Sequence, residues 1–214
     1  MAVGAWYIWW QRREVVNGGS IAPPKLTSFS IQALTLNYKG AAMGTLPKEV
    51  TWSKPKAGTY KLNVDACFFP NGIGASGAVV RNDRCEALAG TGDVLNNLLD
   101  AATAEAIALK KGLTLVENLG CLPVIVESDS LELVDAFNGV IELSSPYTAI
   151  LMECFLIASR IGRVNLQHCP REANLVAHNI ARFVFNSNNS VFWDDDPPNF
   201  IVKDVINDVT IVNG

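Results

Sequence analysis

Three acidic residues, Asp65, Glu105 and Asp129, stand where regular elements could bring their carboxylates together. Asp65 follows Leu62 and Val64 in the alternating run Tyr60–Asp65, which reads as a central strand. A carboxylate at that point costs free energy unless it is paired or holds a metal ion. Glu105 falls in the first turns of a helical pattern, among Ala101, Ala102, Ala104 and Ala106. Such small neighbours let that end of the helix approach a sheet closely. Asp129 stands just past the apolar strand Leu122–Val126, and in open α/β sheets ligands gather at the carboxyl ends of strands. Hard divalent cations, magnesium or manganese, take oxygen ligands from a few carboxylates, and substrate phosphates complete the shell. Two such ions about 4 Å apart can activate a water and stabilise the leaving oxygen in phosphodiester cleavage. Taken singly, each acid reads as a helix cap or a solvated turn. The group of three on mutually consistent elements carries the metal reading.

The elements that must position these groups follow from the periodicity. Tyr60–Asp65, Ala75–Arg81 and Glu86–Val94 read as three strands joined by the short turns Pro70–Gly72 and Asn82–Arg84, an antiparallel meander. The period then changes. Over Ala101–Leu119, residues Ala104, Ala108, Leu109, Leu113, Val116 and Leu119 share one helical stripe, with Gly120 as the stop. Leu122–Val126 is a short strand, and Ser130–Asn138 a short helix capped by Ser128 or Ser130. Tyr147–Ile161 is a further helix, Val164–His168 a fifth strand and Arg171–Phe185 a closing helix. The order βββαβααβα predicts an α/β fold: a mixed five-stranded sheet with helices on both faces.

In this order the segments KLNVDACFFPNG (61–72), ASGAVVRND (75–83), TAEAIALKKGL (103–113), VIVESDS (124–130) and HCPREANLVAHNIAR (168–182) resemble consecutive motifs of the ribonuclease H family. They are similar in particular to the plant branch related to the ribonuclease H segment of non-LTR retrotransposons. The resemblance covers residues 52–209, including the trailing WDDDPPNFIVKDVINDV, and implies a ribonuclease H-like fold. It also implies divalent-metal-dependent hydrolysis of the RNA strand of RNA–DNA hybrids, with magnesium or manganese as cofactor. Matched by motif, Asp65, Glu105 and Asp129 are three of the family's four metal-binding carboxylates, and His168 is a mobile histidine that helps release product. The fourth acid belongs ten residues after that histidine, where this chain has His178. Imidazole is a softer ligand that suits zinc or manganese better than magnesium; otherwise His178 is a helix-surface residue that happens to face the site. Asn71 matches a position that contacts the nucleic-acid backbone, and is equally a turn former by its own propensity. Only Gly139–Pro146 joins the two middle helices, so the basic protrusion of relatives is missing.

Composition limits the partners. The chain has 214 residues, 49% of them hydrophobic, enough for one cored domain and an appendage. Its net charge is −4 and its pI about 5.2, so nucleic-acid affinity must come from a local patch or from bound metal, not from a global basic field. This acidity and His178 favour the rival reading, a catalytically impaired module that binds nucleic acid or protein. Five cysteines without a CxxC pair speak against a disulfide framework or a self-contained zinc site, and for reduced thiols inside a cell, in nucleus or cytoplasm. The apolar run Ala2–Trp10 precedes its charges and is too short to span a bilayer, so it reads as a docked helix and neither as a secretion signal nor as a membrane anchor. Residues 17–58, rich in Gly and Pro, read as a linker with a helical turn or two around Ser30–Tyr38, and residues 210–214 as a tail. With its similarity to the segment that precedes ribonuclease H in plant retroelement polyproteins, the stretch 1–51 reads as a retroelement remnant. The expected assembly is a monomer. Gly72–Gly77 fits GxGxxG by letter but leads into a β-branched strand and not a helix, so it reads as a hairpin and no dinucleotide site.

Overall fold

A computed structural model describes residues 51–140, 146–162 and 164–212, with side chains up to 208. The predicted N-terminal helix, the turns around Ser30–Tyr38, residues 1–50 of the linker and remnant, and residues 141–145 of the helix connection lie outside the described residues.

The described chain runs β1 (Tyr60–Phe68), β2 (Gly74–Arg81), β3 (Ala87–Gly92), β4 (Val94–Leu95), α1 (Ala101–Leu119), β5 (Val124–Ser128), α2 (Leu131–Phe137), α3 (Thr148–Ile161), β6 (Val164–His168), a 3-10 turn (Arg171–Asn174), α4 (Leu175–Ser187), β7 (Val191–Asp194) and α5 (Asn199–Val212). The strand order across the sheet is β6-β5-β1-β2-β3-β7, with β4 alongside β2. β1 pairs antiparallel with β2 and parallel with β5, which pairs parallel with β6. The mixed sheet is thus a meander joined to a crossover unit, as the change of period predicts.

The sheet has seven strands, not five. One of the two additions is a subdivision: β4 continues β3 along β2 in the same register (Ala78↔Thr91, then Ala75↔Val94), with an interruption at Asp93. There the Asp93 backbone N–H turns to the Ser76 hydroxyl, 3.2 Å away, while its carbonyl accepts from the Ser76 N–H. The other is β7, which closes the edge beside β3 and brings the Trp193 ring against Gly90. A four-residue strand has too few positions to show a period.

Among the described residues, the two largest apolar clusters lie on opposite faces of the sheet. On one face Leu62, Val64 and Val80 pack with Leu109, Leu113 and Val116 of α1 and with Leu151 of α3. On the other, Val79 packs with Val176 and Ile180 of α4, Trp193 of β7 and Ile201 of α5. α1 begins on Asp100, whose carboxylate accepts the Thr103 N–H at 2.7 Å, and ends on Gly120 in the left-handed region. Of the two candidate caps for α2, the structure uses Ser130. Gly112 brings α1 down on β1, since a Cβ there would lie 2.6 Å from Val64 Cγ1.

Residues 51–58 are not free linker. Trp52 is 1% exposed, packs with Cys85, Cys169 and Ala173, and donates its indole N–H to Asn63 Oδ1 at 3.0 Å. Among the described residues no helix is long and apolar enough to cross a membrane, and all five cysteines are free thiols.

Candidate active site

The carboxyl ends of three parallel strands carry the candidate groups. The β1–β5 register pairs Val64 with Ser128, so the next residues, Asp65 and Asp129, come side by side. The β5–β6 register pairs Ser128 with His168, which places His168 on the same rim, exposed. Glu105 reaches this end from the first turns of α1.

The three acids act on one another. Burial lifts the Asp65 pKa above its ordinary value; the hydrogen bond from His178 opposes that, and the nearby Asp129 carboxyl adds to it. Glu105 is raised well above the usual carboxylate range, first by burial and then by the charges of Asp65 and Asp129, against a smaller opposing pull from the Ala66 backbone. Its Oε2 is buried and has no hydrogen-bond partner. Buried carboxylates that repel one another, one with an orphaned oxygen, constitute an all-oxygen donor set that a hard divalent cation would relieve. By donor chemistry the residues fit such an ion. Among the described residues, however, no three His, Cys, Asp or Glu side chains are gathered as they would be around a bound metal.

His178 faces the site from α4. Its Nδ1 lies 2.7 Å from Asp65 Oδ2, and its Nε2 lies 3.3 Å from Arg171 Nη2. This approach depends on β2. Asp65 pairs with Gly77, and α4 crosses so close that a Cβ on Gly77 would stand 2.2 Å from the Ala177 carbonyl oxygen and 2.7 Å from the Ala181 nitrogen. Only glycine leaves room for α4 to bring His178 onto Asp65. Asn71 sits on the exposed turn after β1, its Oδ1 accepting the Ile73 N–H at 3.3 Å, as its turn propensity predicts.

Sequence reasoning missed Asn174, which is 1% exposed and joins the site to a buried polar network. Its Nδ2 donates to Asp129 Oδ1 at 3.0 Å and to the Val64 carbonyl at 2.9 Å, while its Oδ1 accepts from Asn63 at 3.2 Å. Asn63 in turn donates to Glu127 at 3.0 Å and accepts from Arg81 at 3.0 Å. Glu127 pairs with Lys61 at 2.8 Å, and Arg81 pairs with Asp208 of α5 at 2.5 Å. The signal that could have found it was the polar face of β1, Lys61, Asn63 and Asp65, which the structure buries along with the apolar face. A cleft of about 600 Å³ between Lys110, Lys111, Ile150 and Phe192 lies along α1, away from the carboxylates. Its lysines are held by Glu153 and Asp93, so it brings no free cation to the site.

Comparison with known proteins agrees with this architecture. A family model described as reverse transcriptase-like matches residues 63–184. The fold is similar to the N-terminal RNase H domain of rv2228c from Mycobacterium tuberculosis, at 24% identity and a TM-score of 0.57, covering 60% of this chain and 94% of that one. It is similar to RNase H1 from the archaeon Halobacterium salinarum NRC-1 (19% identity, TM-score 0.57, 60% and 98% covered). It is likewise similar to LC11-RNase H1, an enzyme isolated from compost and solved in complex with an RNA/DNA hybrid (19%, 0.57, 61% and 99%). No curated protein sequence matches the chain.

Proposed function

The chain belongs to the reverse transcriptase-like family and has an RNase H-like fold, and from this premise we propose that it is a divalent-metal-dependent endonuclease cutting the RNA strand of RNA–DNA hybrids. The observation that carries the reading is the placement of Asp65, Glu105 and Asp129 at one end of the sheet, where burial first and neighbouring carboxyls after it raise the pKa values of Asp65 and Glu105, and where Glu105 Oε2 has no hydrogen-bond partner. These three would hold the metal, magnesium or manganese. When bound, such ions supply an activated water and Lewis-acid stabilisation of the leaving oxygen.

The protein's own groups then have separable tasks. Asn174 fixes Asp129 through a charge-assisted hydrogen bond, and His178 fixes one oxygen of Asp65. Asn71, exposed on the turn after β1, contacts the nucleic-acid backbone. His168, exposed at the strand end beside Asp129, moves protons or assists product release. A hybrid is told apart from duplex DNA by minor-groove shape and the ribose 2′-hydroxyl. A monomer in a reducing intracellular setting, nucleus or cytoplasm, belongs to the same proposal, as does descent from the plant branch related to non-LTR retrotransposons.

The test is cleavage of a labelled RNA–DNA hybrid by the full chain with magnesium and, separately, manganese, beside Asp129→Asn. Metal-dependent cleavage that the variant loses is the expected result. A folded sample that cuts in neither metal supports a second reading, a catalytically impaired module that binds nucleic acid or protein. That reading draws on His178, whose ring nitrogens are both engaged where the family carries an acid, and on the net charge of −4. Calorimetry separates the two, because a binding module has no need to take up magnesium.

A further inference from the structure

The nitrogen contacts of His178 bear on a question that its residue type leaves open. An imidazole in place of a fourth acid invites the idea of a substitute metal ligand, and neutral imidazole ligates through a bare ring nitrogen. Here both nitrogens are already used. A guanidinium has donors only, so Arg171 Nη2 at 3.3 Å requires Nε2 to accept. The ring proton is then on Nδ1, which donates to Asp65 Oδ2 at 2.7 Å. Arg171 is exposed, on the 3-10 turn that leads into α4, seven residues before His178.

We propose that Arg171 is a positioning residue that keeps His178 out of the metal's coordination: by engaging Nε2 it commits the imidazole to donating to Asp65, and leaves the cation to carboxylate oxygens alone. The inference rests on the metal reading above for its consequence, though not for its geometry. It makes the site hard in its ligand set despite the histidine. Removal of Arg171 would free Nε2 of a ring whose other nitrogen is on Asp65, a borderline-soft ligand that zinc uses well and magnesium poorly.

The experiment uses the full chain labelled with 15N-histidine, free of metal, at mildly alkaline pH. The chain has two histidines, and His168→Gln assigns the other one. In the wild type, long-range 15N–1H spectra are expected to show His178 protonated on Nδ1 and bare on Nε2, with a Nε2 signal that added zinc ion leaves in place. In Arg171→Ala the same zinc addition is expected to shift the His178 Nε2 signal, with zinc affinity raised about tenfold, the lower end of what one supporting contact changes at a metal site. Arg171→Gln keeps a neutral donor, and is expected to behave like the wild type if engagement of Nε2, and not the positive charge, is the cause. A wild-type Nε2 that is protonated, or that zinc shifts, overturns the proposal, and so does an Arg171→Ala protein indistinguishable from wild type. Absence of hybrid cleavage alongside the expected nitrogen signals would remove the nuclease reading and leave this assignment standing.

Discussion

Replacing Asn174 tests the link between the buried network and the carboxylates. Asn174→Ala removes a charge-assisted bond to Asp129 and neutral bonds to the Val64 carbonyl and from Asn63. A bond to a charged group contributes about 1.5–3 kcal/mol and a neutral one about 1 kcal/mol, so these losses sum to about 4 kcal/mol. Asn63 keeps its bond to Glu127, which brings the expected destabilisation to about 3 kcal/mol. At about 2–4 °C per kcal/mol for a chain of this length, Tm should fall by about 6–12 °C in a calorimetric scan. Asn174→Asp is more specific. It would set an oxygen where the donor stands 3.0 Å from Asp129, a repulsion of about 5 kcal/mol at an effective dielectric of about 20 if both were ionised. The new carboxyl would therefore stay protonated in the fold, with its pKa raised above the unfolded value. Its stability contribution is full below the unfolded pKa of about 3.9 and is lost as pH rises through the folded pKa. This variant should approach wild-type stability in acid and fall well below it at neutral pH. Divalent-ion affinity should drop by about 10- to 100-fold in the alanine variant, since Asp129 has lost its support. An alanine variant within about 0.5 kcal/mol of wild type, with unchanged ion affinity, would refute the reasoning, because that is the level of an unremarkable surface change.

Three further outcomes are expected. Glu105 has a raised folded pKa, so its contribution is present below the unfolded value and lost as pH rises through the folded one. Glu105→Gln should accordingly raise Tm at neutral pH without divalent ions, with the gain shrinking toward pH 4 (about the unfolded value) and cancelled when magnesium stabilises the wild type; a lower Tm at neutral pH would refute this. Gly77→Ala places a Cβ against backbone atoms that cannot rotate away, so α4 must move; about 3 kcal/mol should be lost in denaturant melts, together with the His178–Asp65 contact seen by NMR. His178→Ala removes a bond that holds the Asp65 pKa down, so the acidic limb of the cleavage pH profile should move to higher pH, and an unmoved limb would show the bond to be idle.

Local signals were legible where one element decides them. The alternation of Tyr60–Asp65, the helical stripe of α1 with Gly120 as its stop, and the serine before α2 depend on near neighbours, and each appears where the spacing puts it. The element order narrowed the ways a crossover unit can join the meander, but the parallel register that sets Asp65 beside Asp129 came from the structure. β7 was too short to carry a period, and the packing of Trp52 depends on Asn63 and Arg81, both distant in sequence from the linker it was grouped with.

By itself, the sequence determined where the candidate groups lie: a period of two or of about 3.6 places Asp65, Glu105 and Asp129 on a strand, a helix start and a strand end. Only the tertiary structure decided what each group is free to do. Gly77 lets α4 come close enough for His178 to bond Asp65, Arg171 takes the other ring nitrogen, and Asn174 ties Asp129 to a buried network reaching Asp208. The physical reason is that periodicity reports the face on which a residue lies. Burial, hydrogen-bond partners and charge at that face depend on which distant element covers it, and that is a property of packing.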